Sequence, residues 1–126
     1  MKTIINTPNA PAPVGPYNQA VSHNGTLYVS GQIAINPATG ELVKDSIEAE
    51  TEMVLKNVAA ILEAAGTSFE QVLKASVFVN DMEQYSRINA VYAKFFEEAT
   101  APARELVQVA NLPKYVNVEI SVIAAV

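Results

Sequence analysis

The sequence predicts a single α+β domain, and three observations carry that reading. Short β-branched runs alternate with two apolar stripes at helical spacing, giving the order β-β-α-β-α-β-β. Asn24-Gly25 sits between two alternating apolar segments, the signature of a tight hairpin turn. At 126 residues the chain has the length of one domain, residues 1–126, with enough surface to bury that no staple is needed.

Taken in order, residues 2 to 5 offer a short first strand, and the Pro-rich stretch Pro8 to Pro16 reads as an extended loop. The hairpin pairs Asn18 to Ser22 with Leu27 to Ile33, and Asn36-Pro37-Ala38-Thr39-Gly40 forms a second turn. Asp45 followed by Glu48 is a capping signal for a helix. Ile47, Val54, Val58, Ile61, Leu62 and Ala65 mark its apolar face, and Gly66 its end. Val72 to Val79 is a strand. The second helix runs from about Met82 to Glu98, with Met82, Tyr85, Ile88, Tyr92, Phe95 and Phe96 on one stripe. A strand at Arg104 to Val109, a turn at Leu112-Pro113-Lys114 and a last strand from Val116 to about Ala124 close the chain. In that last strand Val116, Val118, Ile120 and Val122 share a side opposite Asn117, Glu119 and Ser121. Two helices cover one sheet face. The other face is half-apolar, so it is expected to be buried against neighbouring subunits.

Composition removes several function classes. Charged residues are 17% of the chain, below the roughly 25% of an average domain, which again favours an oligomer. Net charge is −5 and the cations are scattered, so a phosphate-backbone binder is not expected, and no nucleic acid partner is assigned. The absence of cysteine excludes disulfides and thiolate chemistry and fits a reducing compartment, hence a cytoplasmic protein. No apolar run approaches the length of a signal peptide core or a membrane span. One histidine, His23, sits at the hairpin turn, so neither a metal site nor a triad is expected. No Gly-rich phosphate cradle exists, and no cofactor is assigned.

Chemistry must then come from arginines, acids and hydroxyls in strands. Arg87 lies amid polar neighbours and reads as surface, whereas Arg104 opens a strand on the same side as Leu106 and Gln108. An arginine there is either an ordinary ion pair at a strand end or a bidentate clamp for a carboxylate. Glu119, mid-strand, is either a solvent-facing acid or a desolvated general base. Tyr17 and Ser30 supply hydroxyls, and Ser30-Gly31 interrupts an apolar strand where close approach of a ligand or backbone is expected.

Gly15-Pro16-Tyr17, Val29-Ser30-Gly31-Gln32-Ile33, Pro37-Ala38-Thr39-Gly40-Glu41-Leu42-Val43, Phe78-Val79-Asn80-Asp81-Met82, Asn89-Ala90-Val91-Tyr92, Pro102-Ala103-Arg104 and Leu112-Pro113-Lys114 with Val118-Glu119-Ile120 occur in that order. This string closely resembles the RidA (YjgF) family of enamine/imine deaminases over essentially the whole chain. The resemblance implies a chorismate-mutase-like fold assembled as a homotrimer, with ligand clefts between subunits. It implies cofactor-free hydrolysis of 2-iminobutanoate and 2-iminopropanoate to 2-oxo acids plus ammonia. Position by position, Arg104 matches the carboxylate-binding arginine and Glu119 the acid that orients water. Tyr17 and Ser30 match cleft hydroxyls, and Asn89 a cleft-side asparagine. The backbone N–H of Leu106 matches a further carboxylate contact. Where many members carry Ser-Cys this chain has Glu105-Leu106, so a narrower pocket and a negative charge beside the clamp are expected. Rival readings are a non-catalytic sensor of 2-oxo acids in the same cleft, a ribonuclease or translation inhibitor, and a holdase-like chaperone.

Overall fold

The computed structural model describes residues 1–126. Six strands form one mixed sheet: β1 (Thr3–Ile5), β2 (Ala20–His23), β3 (Thr26–Gln32), β4 (Val72–Val79), β5 (Ala103–Gln108) and β6 (Val118–Ala125). Their spatial order is β1-β2-β3-β6-β4-β5, so the last strand lies inside the sheet. Only β4 and β5 run parallel; every other neighbouring pair is antiparallel. A parallel pair needs a crossover, and the second helix supplies it. The two helices, α1 (Ile47–Ala64) and α2 (Tyr85–Tyr92), pack together, and α1 lies across β6 and β3. Val118, Ile120, Val122 and Ala124 of β6 are buried beneath them with Val54, Leu55, Val58, Ile61 and Leu62 of α1. At roughly 25 cal/mol per Å² of apolar surface, this interface is the main source of stability. The opposite sheet face has no covering layer, and Tyr28, Leu73 and Val107 remain exposed.

Most elements fall where periodicity places them, with strand ends shifted by one or two residues. Two expectations need correction. Helix α1 is capped by Ser46, not Asp45: its hydroxyl accepts from the Ala49 N–H at 3.0 Å. Glu48 is instead drawn to Arg87, whose Nε and Nη2 donate to it at 2.8 and 2.7 Å. That fork holds the Glu48 carboxyl down at about 2. The stability it adds is present above the ordinary carboxylate value and fades as pH falls towards 2. Both side chains are exposed to solvent, so the effect is small.

The second helix is also shorter than expected. A 3₁₀ turn, Met82–Gln84, leads into α2, which stops at Tyr92 instead of continuing to Glu98. Phe95 and Phe96 both meet Phe69 edge-on, with centroids 5.6 and 4.9 Å away. Adjacent residues on a regular helix do not face one target, so the backbone unwinds to deliver both rings.

Buried polar side chains then fix the ends of strands. Glu50 of α1 is 1% exposed and accepts from Asn117 N and Nδ2, both at 2.7 Å, and from Val118 N at 3.2 Å. Asn57, two turns on, donates to the carbonyls of Ile33 and Ile35 at 3.1 and 2.9 Å. Gln19 ties down the Pro-rich loop, donating to the Thr7, Ala10 and Pro11 carbonyls and accepting from Thr7 N at 2.6 Å. Replacing Glu50 with Ala strands buried donors at the start of β6. The expected loss is about 3 kcal/mol in urea unfolding, with Glu50→Gln costing less because one acceptor remains. A loss below about 1 kcal/mol for Glu50→Ala shows that the carboxylate does not hold β6.

Candidate functional site

Strand alternation distributes the candidate residues over two sheet faces. Glu119 pairs with Phe78 and Arg104 with Ala75, three residues along the same strand β4. Odd spacing means opposite sides. Arg104 therefore looks towards the helices, and Glu119 towards the uncovered face. One copy of the chain brings the candidates together as two separate clusters.

The first cluster surrounds Glu119. Pairing between β3 and β6 slips between Val29 and Gln32, so Ser30 and Gly31 form a bulge beside it. A Cβ on Gly31 would lie 2.7 Å from both Cδ and Oε2 of Glu119. The glycine foreseen as a point of close approach thus makes room for this carboxyl group. Glu119 is half-buried without a hydrogen-bond partner, and desolvation pushes its carboxyl above the ordinary range. It borders a cavity of about 130 Å³ with Tyr17, Gly31, Ile33, Pro113 and Lys114. Tyr17 is half-exposed; its oxygen accepts weakly from Val14 N at 3.4 Å, on the loop that Gln19 secures. Ser30 donates its hydroxyl to the Asn18 carbonyl at 2.6 Å, which leaves the oxygen's lone pairs available.

The second cluster surrounds Arg104 on the edge strand β5. Its Nη1 donates to Asn89 Oδ1 at 2.9 Å and its Nη2 to the Tyr85 hydroxyl at 3.1 Å. The guanidinium carbon lies 4.7 Å from the Tyr92 ring centre, within cation–π range. No carboxylate pairs with it: the three ion pairs of the chain join Lys56 to Glu52, Lys74 to Glu105 and Arg87 to Glu48. The ordinary ion pair weighed for Arg104 from sequence is thus not what the chain forms. Burial raises the Tyr92 hydroxyl pKa, partly offset by the Arg104 charge, so it stays neutral at physiological pH. Leu106 lies against the core. Val109 N donates to Val79 O at 2.8 Å, so alternation turns the Leu106 N–H to the unpaired outer side of β5.

Glu105 departs from expectation. Its side chain projects to the uncovered face, away from Arg104. There it accepts from the Ser76 hydroxyl and pairs with Lys74 at 2.9 Å. Those two contacts, Ser76 first, lower its pKa, so its charge is committed to them. His23 sits exposed at the hairpin tip, between Met1 O and Asn24. Sequence reasoning placed Tyr85 and Tyr92 on an apolar stripe and missed their contact with Arg104. Their spacing to Asn89 on one helix was the available signal. Lys114 was read only as part of a turn. It and Tyr115 both take positive φ, 54° and 55°, a backbone conformation no composition rule would assign to them.

No helix is long and apolar enough to cross a membrane, and no three His, Asp or Glu side chains cluster as metal ligands. The family model described as Endoribonuclease L-PSP matches residues 7–126. A RutC family protein of Synechocystis is 49% identical, over 96% of this chain and 94% of its own length. A Yersinia pestis protein of the conserved Rid family matches all of both chains at 48% identity and a TM-score of 0.97. The chain belongs to the RidA (YjgF) family. Another similar structure is Escherichia coli TdcF with bound serine, 42% identical over 98% of both chains, at a TM-score of 0.92. The fold assigned to the RidA family, two helices on a mixed six-stranded sheet, is the one observed.

Gly31→Ala tests the seating of Glu119. The clash falls on the end of a flexible side chain, so the carboxyl swings outward and stability changes by under about 1 kcal/mol. Titration of the Glu119 carboxyl by NMR should then move down towards its ordinary value. An unmoved titration shows that Gly31 does not hold it in the cavity.

Proposed function

We propose that this chain is a hydrolytic deaminase of short 2-imino acids, acting on 2-iminobutanoate and 2-iminopropanoate in a site built from two copies. The observation that carries the reading is Arg104: a guanidinium fixed by Asn89, Tyr85 and Tyr92, yet paired with no carboxylate of its own chain. A planar fork held in that way suits a carboxylate. Because Glu119 lies on the opposite face, one ligand reaches both groups only if a second copy supplies the second cluster. Such a contact joins different surfaces of the two partners, and a closed ring of three copies satisfies all of them. The uncovered face, with Tyr28 and Val107 exposed, gives the assembly apolar surface to bury.

The chemistry then balances with few parts. Arg104, with the Leu106 N–H, holds the substrate carboxylate and fixes C2 of the protonated imine beside a water molecule at Glu119. The ionised carboxylate takes a proton from that water as its oxygen bonds to C2, giving a carbinolamine. Glu119 returns the proton to nitrogen, the C2–N bond breaks and ammonia leaves, while the hydroxyl passes its proton to the freed Glu119 carboxylate and the 2-oxo acid forms; transfer of that proton to ammonia gives ammonium and regenerates the carboxylate. Tyr17 lines the same cavity as Glu119 and is placed to meet that water, while Ser30 lies on the bulge beside it. A protonated imine is already electrophilic, so positioning and one acid–base group suffice; the latter is typically worth about 10²–10⁴-fold. A cytoplasmic setting beside dehydratases that release such imines fits the absence of cysteine.

A second reading, a non-catalytic binder of small carboxylates, is favoured by the serine bound to TdcF. Timing 2-oxobutanoate release in a threonine dehydratase reaction separates the two: a binder leaves the rate unchanged. A ribonuclease has less support, because the only histidine is remote from both clusters and the net charge is −5.

Three experiments test the proposal. Arg104→Ala abolishes turnover while gel filtration still gives a mass three times 13.5 kDa. Glu119→Gln lowers kcat by at least about 10²-fold. It also raises the thermal midpoint at neutral pH more than in acid. A carboxyl with a raised pKa contributes its stability below its unfolded value and loses it as pH rises through the folded one. Co-refolding the two inactive variants in equal amounts restores about a quarter of wild-type activity, since that share of ring contacts joins an intact Arg104 to an intact Glu119. No recovery in mixed oligomers excludes a shared site.

A further inference from the structure

We infer that Tyr85 is a substrate-binding residue, its phenolic O–H donating to the same carboxylate that Arg104 grips. The inference rests on the clamp reading of Arg104. A guanidinium carries five N–H donors, and Asn89 and Tyr85 occupy one on each Nη. Three remain for a ligand. The Tyr85 oxygen acts as acceptor in the 3.1 Å bond from Nη2, so its own proton is uncommitted, and no acceptor in the chain takes it. The side chain is 40% exposed at the first residue of α2, so the hydroxyl is reachable from outside.

The neighbouring tyrosine makes the contrast. Tyr92 also lies against Arg104, but its hydroxyl is buried without a hydrogen-bond partner and has no accessible surface. It holds the plane of the guanidinium and cannot touch a ligand. Tyr85 combines contact with the cation, an unspent donor and access. An incoming carboxylate has four lone-pair positions and needs more donors than one arginine edge provides. A phenol beside that edge adds a donor without adding charge, which favours a small anion over a neutral amide of the same shape.

The test measures Kd for 2-oxobutanoate and steady-state constants for 2-iminobutanoate with Tyr85→Phe, which keeps the ring and removes only the hydroxyl. Loss of one hydrogen bond to a charged group should raise Kd and KM about tenfold or more and leave kcat nearly unchanged. Tyr85 could instead act only by steadying Nη2 of Arg104. The Arg104→Lys background decides this, because lysine has no Nη2 to steady. A Tyr85→Phe penalty that persists there supports direct contact, and one that vanishes overturns it. Unchanged binding in Tyr85→Phe, with binding lost in Arg104→Ala, rejects the inference and keeps the clamp. Unchanged binding in both variants rejects the clamp, and the role of Tyr85 with it.

Discussion

The pleat of one strand governs the chemistry of the molecule. Ala75 and Phe78 of β4 sit three residues apart, so their partners Arg104 and Glu119 project from opposite faces of the sheet. No rotamer change can bring the two groups onto one ligand within a single copy, because the sheet lies between them. Each group also keeps its distinctive state for that reason. Glu119 stays desolvated and lacks a cation to lower its pKa, and Arg104 stays without a carboxylate. Had the chain placed them on one face at contact distance, they would have paired, and both would have been spent.

Positioning depends on polar groups buried around the candidate residues. Glu50 and Asn57 stand seven residues apart on α1, hence on the same face, and reach two different backbone segments. One fixes the start of β6, two residues before Glu119. The other fixes the chain leaving β3, just beyond Gly31. Gln19 secures the loop that carries Tyr17. Apart from the Asn117 side-chain amide on Glu50, the three take their partners from the backbone, so each substitutes for ladder bonds that the sheet cannot make at its ends.

The legible part of the fold was that written in repeating patterns. Alternation in Val118, Ile120 and Val122, and the stripe of Val54, Val58, Ile61 and Leu62, identify the core because burial there requires nothing but period and hydrophobicity. Glu50 hid itself because an acid in the first turn of a helix already has a local explanation in the helix dipole. The early end of α2 was hidden for another reason. It depends on Phe69, distant in sequence, drawing in two consecutive rings. For the site, Gly31 was marked by its smallness in an apolar strand, but what approaches it is a side chain from β6, and register is a property of the pair. Glu105 shows the converse. Proximity in sequence suggested a charge beside the clamp, and one step along the pleat reversed it.

On the proposed reading, division of the site between copies also explains why so little machinery is needed. Imine hydrolysis requires a fixed carboxylate, a placed water and one group that accepts and returns a proton. If arginine and glutamate sat on one flexible segment, their separation would follow side-chain motion, and collapse into an ion pair would compete with substrate at every turnover. Mounted on two copies as proposed, their spacing would be set by how rigid sheets dock. Such docking is resisted by every packed side chain in the interface. In the proposed site a substrate carboxylate would occupy the side of the guanidinium left open by Asn89, Tyr85 and Tyr92, with the imine carbon carried towards Glu119. The pleat keeps the two charges apart within one copy, and the proposed docking would set the distance at which one ligand meets both.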